Sequence, residues 1–426
     1  MSLITDHPLR YKLANELHAR PFPSFRAPGV VAYLALKLPE NAAGRDRAQD
    51  RLDLIALLDR YGAGHPKEGA THYFGDLGRY KIKWEQHTEF VTYTVFSSAL
   101  SERAFDPAVF DAFPADWLAG LDAVRVTSIS IRAELREDED DISQKLSDWF
   151  VSESVAVSRV LDDSAIVAAD FRIDETGHQR VAIFADKDTG ERRLGRIIQR
   201  LCEIETYKSL SMQGFATARE IQGRMGQIDA EITDLMKSLA EATQPAENTL
   251  AAVLRHSAEL ESLDAQVAFR FGATWAYQAI VDQRIAVLRE ERFKGRQTFY
   301  EFMMRRYDPA MRTVRSTETR LTTLVDRARR AGELLRTKVD VERSAQNQTL
   351  LESMDKRADL QLRLQKTVEG LSVVAISYYA VSLVGYLAYP LAEVVGMTKG
   401  ALTALITLPV VGAVWYLVHR IRKSME

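Results

Sequence analysis

Two uncharged apolar runs near the carboxyl end constrain this chain more than any other feature. Gly370 to Ala392 reads GLSVVAISYYAVSLVGYLAYPLA and Gly400 to Val418 reads GALTALITLPVVGAVWYLV, with no Asp, Glu, Lys or Arg in either. The first exceeds the roughly 20 residues that an α-helix needs to cross about 30 Å of hydrocarbon. Neither keeps the polar face that a helix in a soluble core carries. Only Glu393 to Lys399 separates them, so the pair is expected to form a transmembrane hairpin, 370–392 and 400–418, around the outer turn 393–399. Lys356, Arg357, Arg363 and Lys366 precede the first run and Arg420, Arg422 and Lys423 follow the second. The positive-inside rule then places both termini in the cytoplasm and makes the protein a multi-pass component of the inner membrane. The first thirty residues, broken by Arg10, Lys12, Glu16 and Arg20, hold no continuous apolar core and no secretory signal.

The 426 residues exceed one average domain, so two or three structural units are expected. With 56 Lys and Arg against 59 Asp and Glu, the net charge of −3 gives no reason to expect nucleic acid as a partner. The single cysteine, Cys202, cannot close an internal disulfide, which suits a reducing cytoplasm.

Ahead of the membrane segment the pattern changes once. Residues 1–188 alternate β-patterned runs with amphipathic helix: strands are expected at Val30 to Leu38, within Tyr73 to Phe96, and at Val124 to Leu135, Val155 to Val160, Ala165 to Ile173 and Gln179 to Phe184, with a helix at Ala48 to Tyr61. This is an α+β cytosolic domain whose strand order the pattern does not give. From 189 to 307 the sequence reads as a helical hairpin. Ile221, Met225, Ile228, Ile232, Leu235 and Leu239 step by fours and threes as a coiled-coil seam, and Pro245 ends that helix. A second helix is expected from Glu247 to Arg306, presenting Leu250, Val253, Leu260, Leu263 and Val267. Asp308 and Pro309 restart the chain as an N-cap and first-turn proline. The resulting stalk helix, 308–369, continues into the first span, on the order of 120 Å from Pro309 to its end at about 1.5 Å per residue. A helix of that length is expected to pack on the hairpin and on copies of itself, as a homo-oligomer; the alternative is a single-chain three-helix bundle above an anchor, with 419–426 as a basic cytosolic tail.

Three sets of residues are candidates for function. His7, Arg10, Asn15, Glu16, His18 and Arg20 crowd into HPLRYKLANELHARPFP, either as a ligand or anion cluster or as a helix cap with salt bridges that tie the terminus to the sheet. In RYKIKWEQHTEF, alternation puts Lys83, Glu85, His87 and Glu89 on one strand face, with His72 on a neighbouring strand. Two carboxylates beside a histidine suit a divalent cation; the alternative is a solvated face with ordinary cross-strand pairs. In the first span Ser372, Tyr379, Ser382, Tyr386 and Tyr389 follow one helical stripe. Polar groups facing lipid are unfavourable, so the stripe is expected to line a pore or to hydrogen-bond between helices and anchor at the outer interface. GAGHPKEG (Gly62 to Gly69) lacks the ending of a phosphate loop, and no GxGxxG, GxSxG or HExxH is present, so no catalytic residue is expected.

HPLRYKLANELHARPFP together with WEQHTEF resembles the signature of a bacterial family of membrane-anchored proteins of unknown function, over nearly the whole chain. The order of parts is separately similar to the CorA-type magnesium channel superfamily: cytosolic α/β domain, helical hairpin, long stalk helix running into the first span, short outer turn, second span and basic tail. That resemblance implies a pentamer with the first span lining the pore. The chain departs from it where Gly-Met-Asn should end the first span, since Gly396 and Met397 are followed by Thr398 and no asparagine follows Asn347. The expectation is therefore an ion channel or transporter of non-standard selectivity, with membrane lipid and its own copies as partners. The alternative is a membrane-anchored sensor or scaffold.

Overall fold

The computed structural model describes residues 4–16, 22–241 and 243–425. Its elements in chain order are α1 (Arg10–Glu16), β1 (Gly29–Lys37), α2 (Arg47–Arg60), β2 (His72–Asp76), β3 (Lys81–Gln86), β4 (Val91–Ser97), α3 (Ala115–Ala119), β5 (Val124–Leu135), α4 (Glu139–Trp149), β6 (Ala156–Val160), β7 (Ala165–Ile173), β8 (Gln179–Ala185), α5 (Glu191–Ala240), α6 (Ala246–Ala286), β9 (Glu291–Arg292), α7 (Phe299–Arg306), α8 (Asp308–Val394) and α9 (Lys399–Met425). They fall into two units, Met1–Thr243 with Ala251–Ala331 and Gln244–Leu250 with Gly332–Glu426.

In the first unit the strands form one mixed sheet in the order β2-β3-β4-β1-β5-β8-β7-β6-β9. All neighbours are antiparallel except β5 and β8, which run parallel. Both faces are covered, which is why β1 and β4 read as nearly continuous apolar and β-branched runs instead of clean alternations. On one face Val31, Tyr33, Ile129, Ile131, Val167 and Ile183 meet α5. On the other, Leu34, Leu36, Ile82, Trp84 and Tyr93 pack on Leu54, Leu57 and Leu58 of α2. Further along that second face α4 covers β6, β7 and β8 through Ile142 and Leu146. Aspartates start the outer helices: Asp46 accepts from the Ala48 amide in α2 and Asp138 from the Asp140 amide in α4.

The distal half of α5 seats two more helices. Ile221, Met225, Ile228 and Ile232 are buried against Leu260, Val267 and Phe271 of α6 and Val314, Leu321 and Leu324 of α8. Cross-links fix the directions. Arg284 with Glu203 and Arg224 with Glu259 run α6 antiparallel to α5. Tyr307 on Ser211 and Gln222 on Thr317 run α8 parallel to it. The early part of α8 is thus held in a single-chain three-helix bundle.

Two expectations change and one helix is additional. The helix foreseen from Glu247 to Arg306 stops at Ala286, because Phe293 is drawn fully into the α4 core and Gly295 turns left-handed at φ 76°. The excursion adds β9 to the edge of β6, and Thr298 with Glu301 forms the capping box that begins α7. The helix α4, capped by Asp138 and burying Ile142 and Leu146 one turn apart, is not among the expected elements. The turn foreseen over 393–399 shortens to 395–398, with Gly396 at φ 73°, since α8 runs on through Pro390 to Val394.

In the second unit α8 and α9 carry the two apolar runs, both long enough to cross a membrane, and only 6% of each is buried. Ser377 is buried on the α9 side of α8, and a side chain at Gly385 would meet Ile406 at 3.6 Å.

The α5–α6 contact gives a paired prediction. A methyl group at Gly214 would overlap Thr274 Oγ1, whereas Gly223 faces open space. Gly214→Ala is expected to lower unfolding stability by about 1–3 kcal/mol through overpacking. Gly223→Ala is expected to be neutral or to gain up to about 1 kcal/mol from helix propensity. Denaturant midpoints of the detergent-solubilised chain check both, and an equal effect at the two sites would contradict this packing.

Candidate functional site

The sheet places the predicted strand cluster at the seam between β3, β4 and α5. β3 ends at Gln86, so Lys83 and Glu85 lie on the strand while His87 and Glu89 belong to the tight turn into β4, closed by the His87 amide donating to the Phe90 carbonyl at 2.9 Å. The face is not solvated. Lys83 is 5% exposed and Glu85 8%, because α5 covers them. Lys83 Nζ pairs with Glu85 at 3.0 Å and donates to Gln199 of α5 at 2.9 Å. His72 stands opposite Glu85 in the β2–β3 register, and its buried Nδ1 has no hydrogen-bond partner among the described residues.

Glu89 goes elsewhere. At 1% exposure it accepts from both guanidinium nitrogens of Arg270 at 2.8 and 3.1 Å, from Tyr277 Oη at 2.6 Å, and faces Lys37 Nζ at 3.5 Å. Arg45 clamps the same turn from the other side, donating to the carbonyls of His87, Thr88 and Phe90 while pairing with Asp50 of α2. The expected divalent-cation set therefore does not assemble: Glu85 and Glu89 each take a basic partner, and among the described residues no three His, Cys, Asp or Glu stand close enough to hold a metal ion. Burial alone would raise the pKa of Glu89, but the bonds from Arg270 and Tyr277 and the charge of Lys37 outweigh it and hold the carboxylate below its usual range. Burial, aided by Glu89, pushes the Tyr277 phenol up. Sequence reasoning missed Arg270, Tyr277 and Lys37, since Arg270 lies 181 residues from Glu89 and Tyr277 lies 188, and neither sits in a motif.

Between this turn and α5 lies a small, partly open pocket of about 20 Å³, room for a single water. Tyr33, Lys83, Glu85, His87 and Cys202 line it, and burial pushes the Cys202 thiol up, which leaves it unreactive. Larger openings lie on the opposite face. A groove of about 600 Å³ runs past Leu34, Phe110, Leu118, Arg125 and His178, beside one of about 270 Å³ that holds Asp53 and Asp122. His178 stacks on Phe110 at 3.6 Å with Nδ1 2.6 Å from Ser128 Oγ. Burial and the Arg125 charge, opposed by Asp174, lower its pKa from the ordinary histidine value.

The amino-terminal cluster forms local bonds. Arg10 pairs with Asp6, Tyr11 Oη donates to Asp6 at 3.0 Å, and His7 Nδ1 accepts from the Leu9 amide at 3.2 Å. The side chains of Asn15 and Glu16, and the whole of His18 and Arg20, lie outside the described residues. After them the chain is tied to α5: the Phe25 amide donates to the Glu191 carbonyl, and Gly195 leaves room for the Pro23 backbone.

On α8 only part of the stripe faces away from α9: the Lys399 ammonium at the start of α9 lies 5.9 Å from the ring centres of both Tyr386 and Tyr389. At 100° per residue Ser372, Tyr379 and Ser382 lie on the far side of the helix from buried Ser377. Tyr379 is 72% exposed and Tyr386 74%.

A mixed sheet covered on both faces, a helical bundle and an apolar helix pair at the carboxyl end define the class. The family described as "Protein of unknown function (DUF3422)" matches residues 5–425, and the chain belongs to that family. A search of curated proteins found no match.

The Glu89 junction is testable by pH. A carboxylate whose folded pKa lies below the ordinary 4.5 contributes stability that is present above the unfolded value and lost as pH falls through the folded one. Glu89→Ala leaves Arg270 and Lys37 without their carboxylate and is expected to cost about 3 kcal/mol at pH 7. The gap between the unfolding midpoints of the two proteins should narrow below pH 4.5. A gap independent of pH would mean that the cost is packing alone.

Proposed function

We propose that this protein is an integral inner-membrane channel or transporter for small ions, built from several copies and controlled by its cytoplasmic sheet-and-bundle unit. The observation that carries the reading is the polar stripe of α8. Ser372, Tyr379, Ser382, Tyr386 and Tyr389 sit in an apolar helix; the first three lie opposite buried Ser377, and Tyr386 and Tyr389 meet Lys399 at the start of α9. Hydroxyl groups placed there are unfavourable against lipid and favourable against water or another helix. One hairpin cannot enclose a path, so the stripe lines a pore only when copies surround it. Serine and tyrosine hydroxyls supply neutral oxygen ligands without a ring of fixed charge, so selection would rest on size and partial dehydration. The continuity of α8 from Asp308 to Val394 supports control from the cytoplasmic side, since a shift of its first turns within the bundle is carried along an unbroken helix. Both termini in the cytoplasm follow from the basic flanks.

The large groove beside Arg125 and His178 favours a second reading, a membrane-anchored sensor whose hairpin only tethers it. Flux separates the two. The protein reconstituted in liposomes is expected to pass small monovalent or divalent cations, and Ser382→Leu with Tyr386→Leu is expected to abolish the flux while leaving the protein folded. Flux that survives the double substitution removes the stripe from the pore. A wild-type protein that passes nothing leaves the sensor.

A further inference from the structure

The stripe in the membrane is the end of a longer line. Stepping back from Ser372 by fours and threes, the same register passes Val368, Gln365, Gln361, Ala358, Met354 and Leu351, and reaches Asn347 and Ser344. All eight charged residues between Ser344 and Gly370 fall off this line, so an uncharged seam runs from Ser344 to Tyr389 through a stretch otherwise rich in charge. Up to Val368 none of the described residues of the second unit covers it. Every residue from Asp340 to Val368 is exposed, Leu351 at 66% and Met354 at 63%.

We propose that this seam is a self-association surface and that its occupant is the same seam of further copies of this chain, parallel and in register. A strict seven-residue repeat drifts about 20° per heptad around a straight helix, so it stays on one face only where helices supercoil about each other. Lipid cannot cover the segment before Gly370, whose other faces are charged, and α9 meets the line at its outer end, where Lys399 lies over Tyr386 and Tyr389. A partner must instead be a long helix that reaches the membrane in the same direction and phase, which another copy of α8 does by symmetry. Asn347, Gln361 and Gln365 each carry an amide with donors and an acceptor, so each bonds to its own equivalent in an in-register parallel assembly, and polar seam positions of this kind fix register. Leu350, Leu362 and Leu364 flank the line and widen its apolar face beyond a two-helix seam, so we infer three or more copies. The inference rests on the proposed function only in taking the chain as membrane-spanning.

The test is a cysteine scan of the full-length protein in membranes, in a Cys202→Ala background. Met354→Cys and Ala358→Cys on the seam are expected to cross-link between copies under mild oxidation or with a short bismaleimide. Lys356→Cys and Asp359→Cys, adjacent in sequence but off the line, are expected to remain largely uncross-linked. Cross-linking without this phase, or at none of the four sites, overturns the seam. Independently, Leu351→Asp with Met354→Asp is expected to shift the native mass in nanodiscs toward the monomer, and an unchanged mass counts against the proposal. Phased cross-linking in a protein that passes no ions keeps the seam and removes the conduction reading; flux without phased cross-linking does the reverse.

Discussion

The first unit depends on the burial of α5 along most of its 50 residues. Its opening turns supply Leu194, Ile197, Ile198 and Leu201 to one face of the sheet, and its later turns supply Ile221, Met225, Ile228 and Ile232 to the bundle. One helix therefore joins the sheet face and the bundle into one continuous core, which cannot form fully without it. At roughly 25 cal/mol per Å² of apolar surface removed from water, such a continuous apolar stripe outweighs any single polar contact around it. Local features follow from that constraint: Gly195 and Gly214 keep α5 thin where Pro23 and Thr274 press against it.

The polar junction at Glu89 works on top of this packing. A buried carboxylate with three donors is weak evidence of net stabilisation, because desolvation offsets much of the attraction. Its value is geometric. Arg45 holds the carbonyls of the β3–β4 turn, and Glu89 in that turn holds α6 through Arg270 and Tyr277. The turn is thereby fixed between α2 and the bundle, so a rearrangement on the sheet face would have a polar route to the helices.

Much of this was legible in the chain itself. The strands β1 and β5 to β8 fall where β-branched alternation or apolar runs put them, β2 to β4 lie within the one stretch marked for further strands, and the seam of α5 comes from spacing alone, while α8 restarts at Asp308 itself, one residue earlier than an N-cap there would give. The candidate sites were less so. Glu85 and Glu89 share a phase on paper, yet β3 ends between them and the turn swings Glu89 toward α6, which no local alternation encodes. The break after Ala286 was hidden because helix-compatible residues continue through it, and only the pull of Phe293 into a distant core reveals it.

The sequence by itself determined what its local periodicities and charges can state: two apolar segments long enough for a membrane, an uncharged line leading into the first of them, and a change from strand to helix near residue 188. Local patterns suffice there because hydrocarbon thickness and helical repeat act on neighbouring residues. Only the tertiary structure decided the strand order, the parallel pairing of β5 with β8, the partners of Glu89, and which residues of α8 meet α9. Those features join residues far apart in the chain, and their cost and reward depend on burial that no short window of sequence contains.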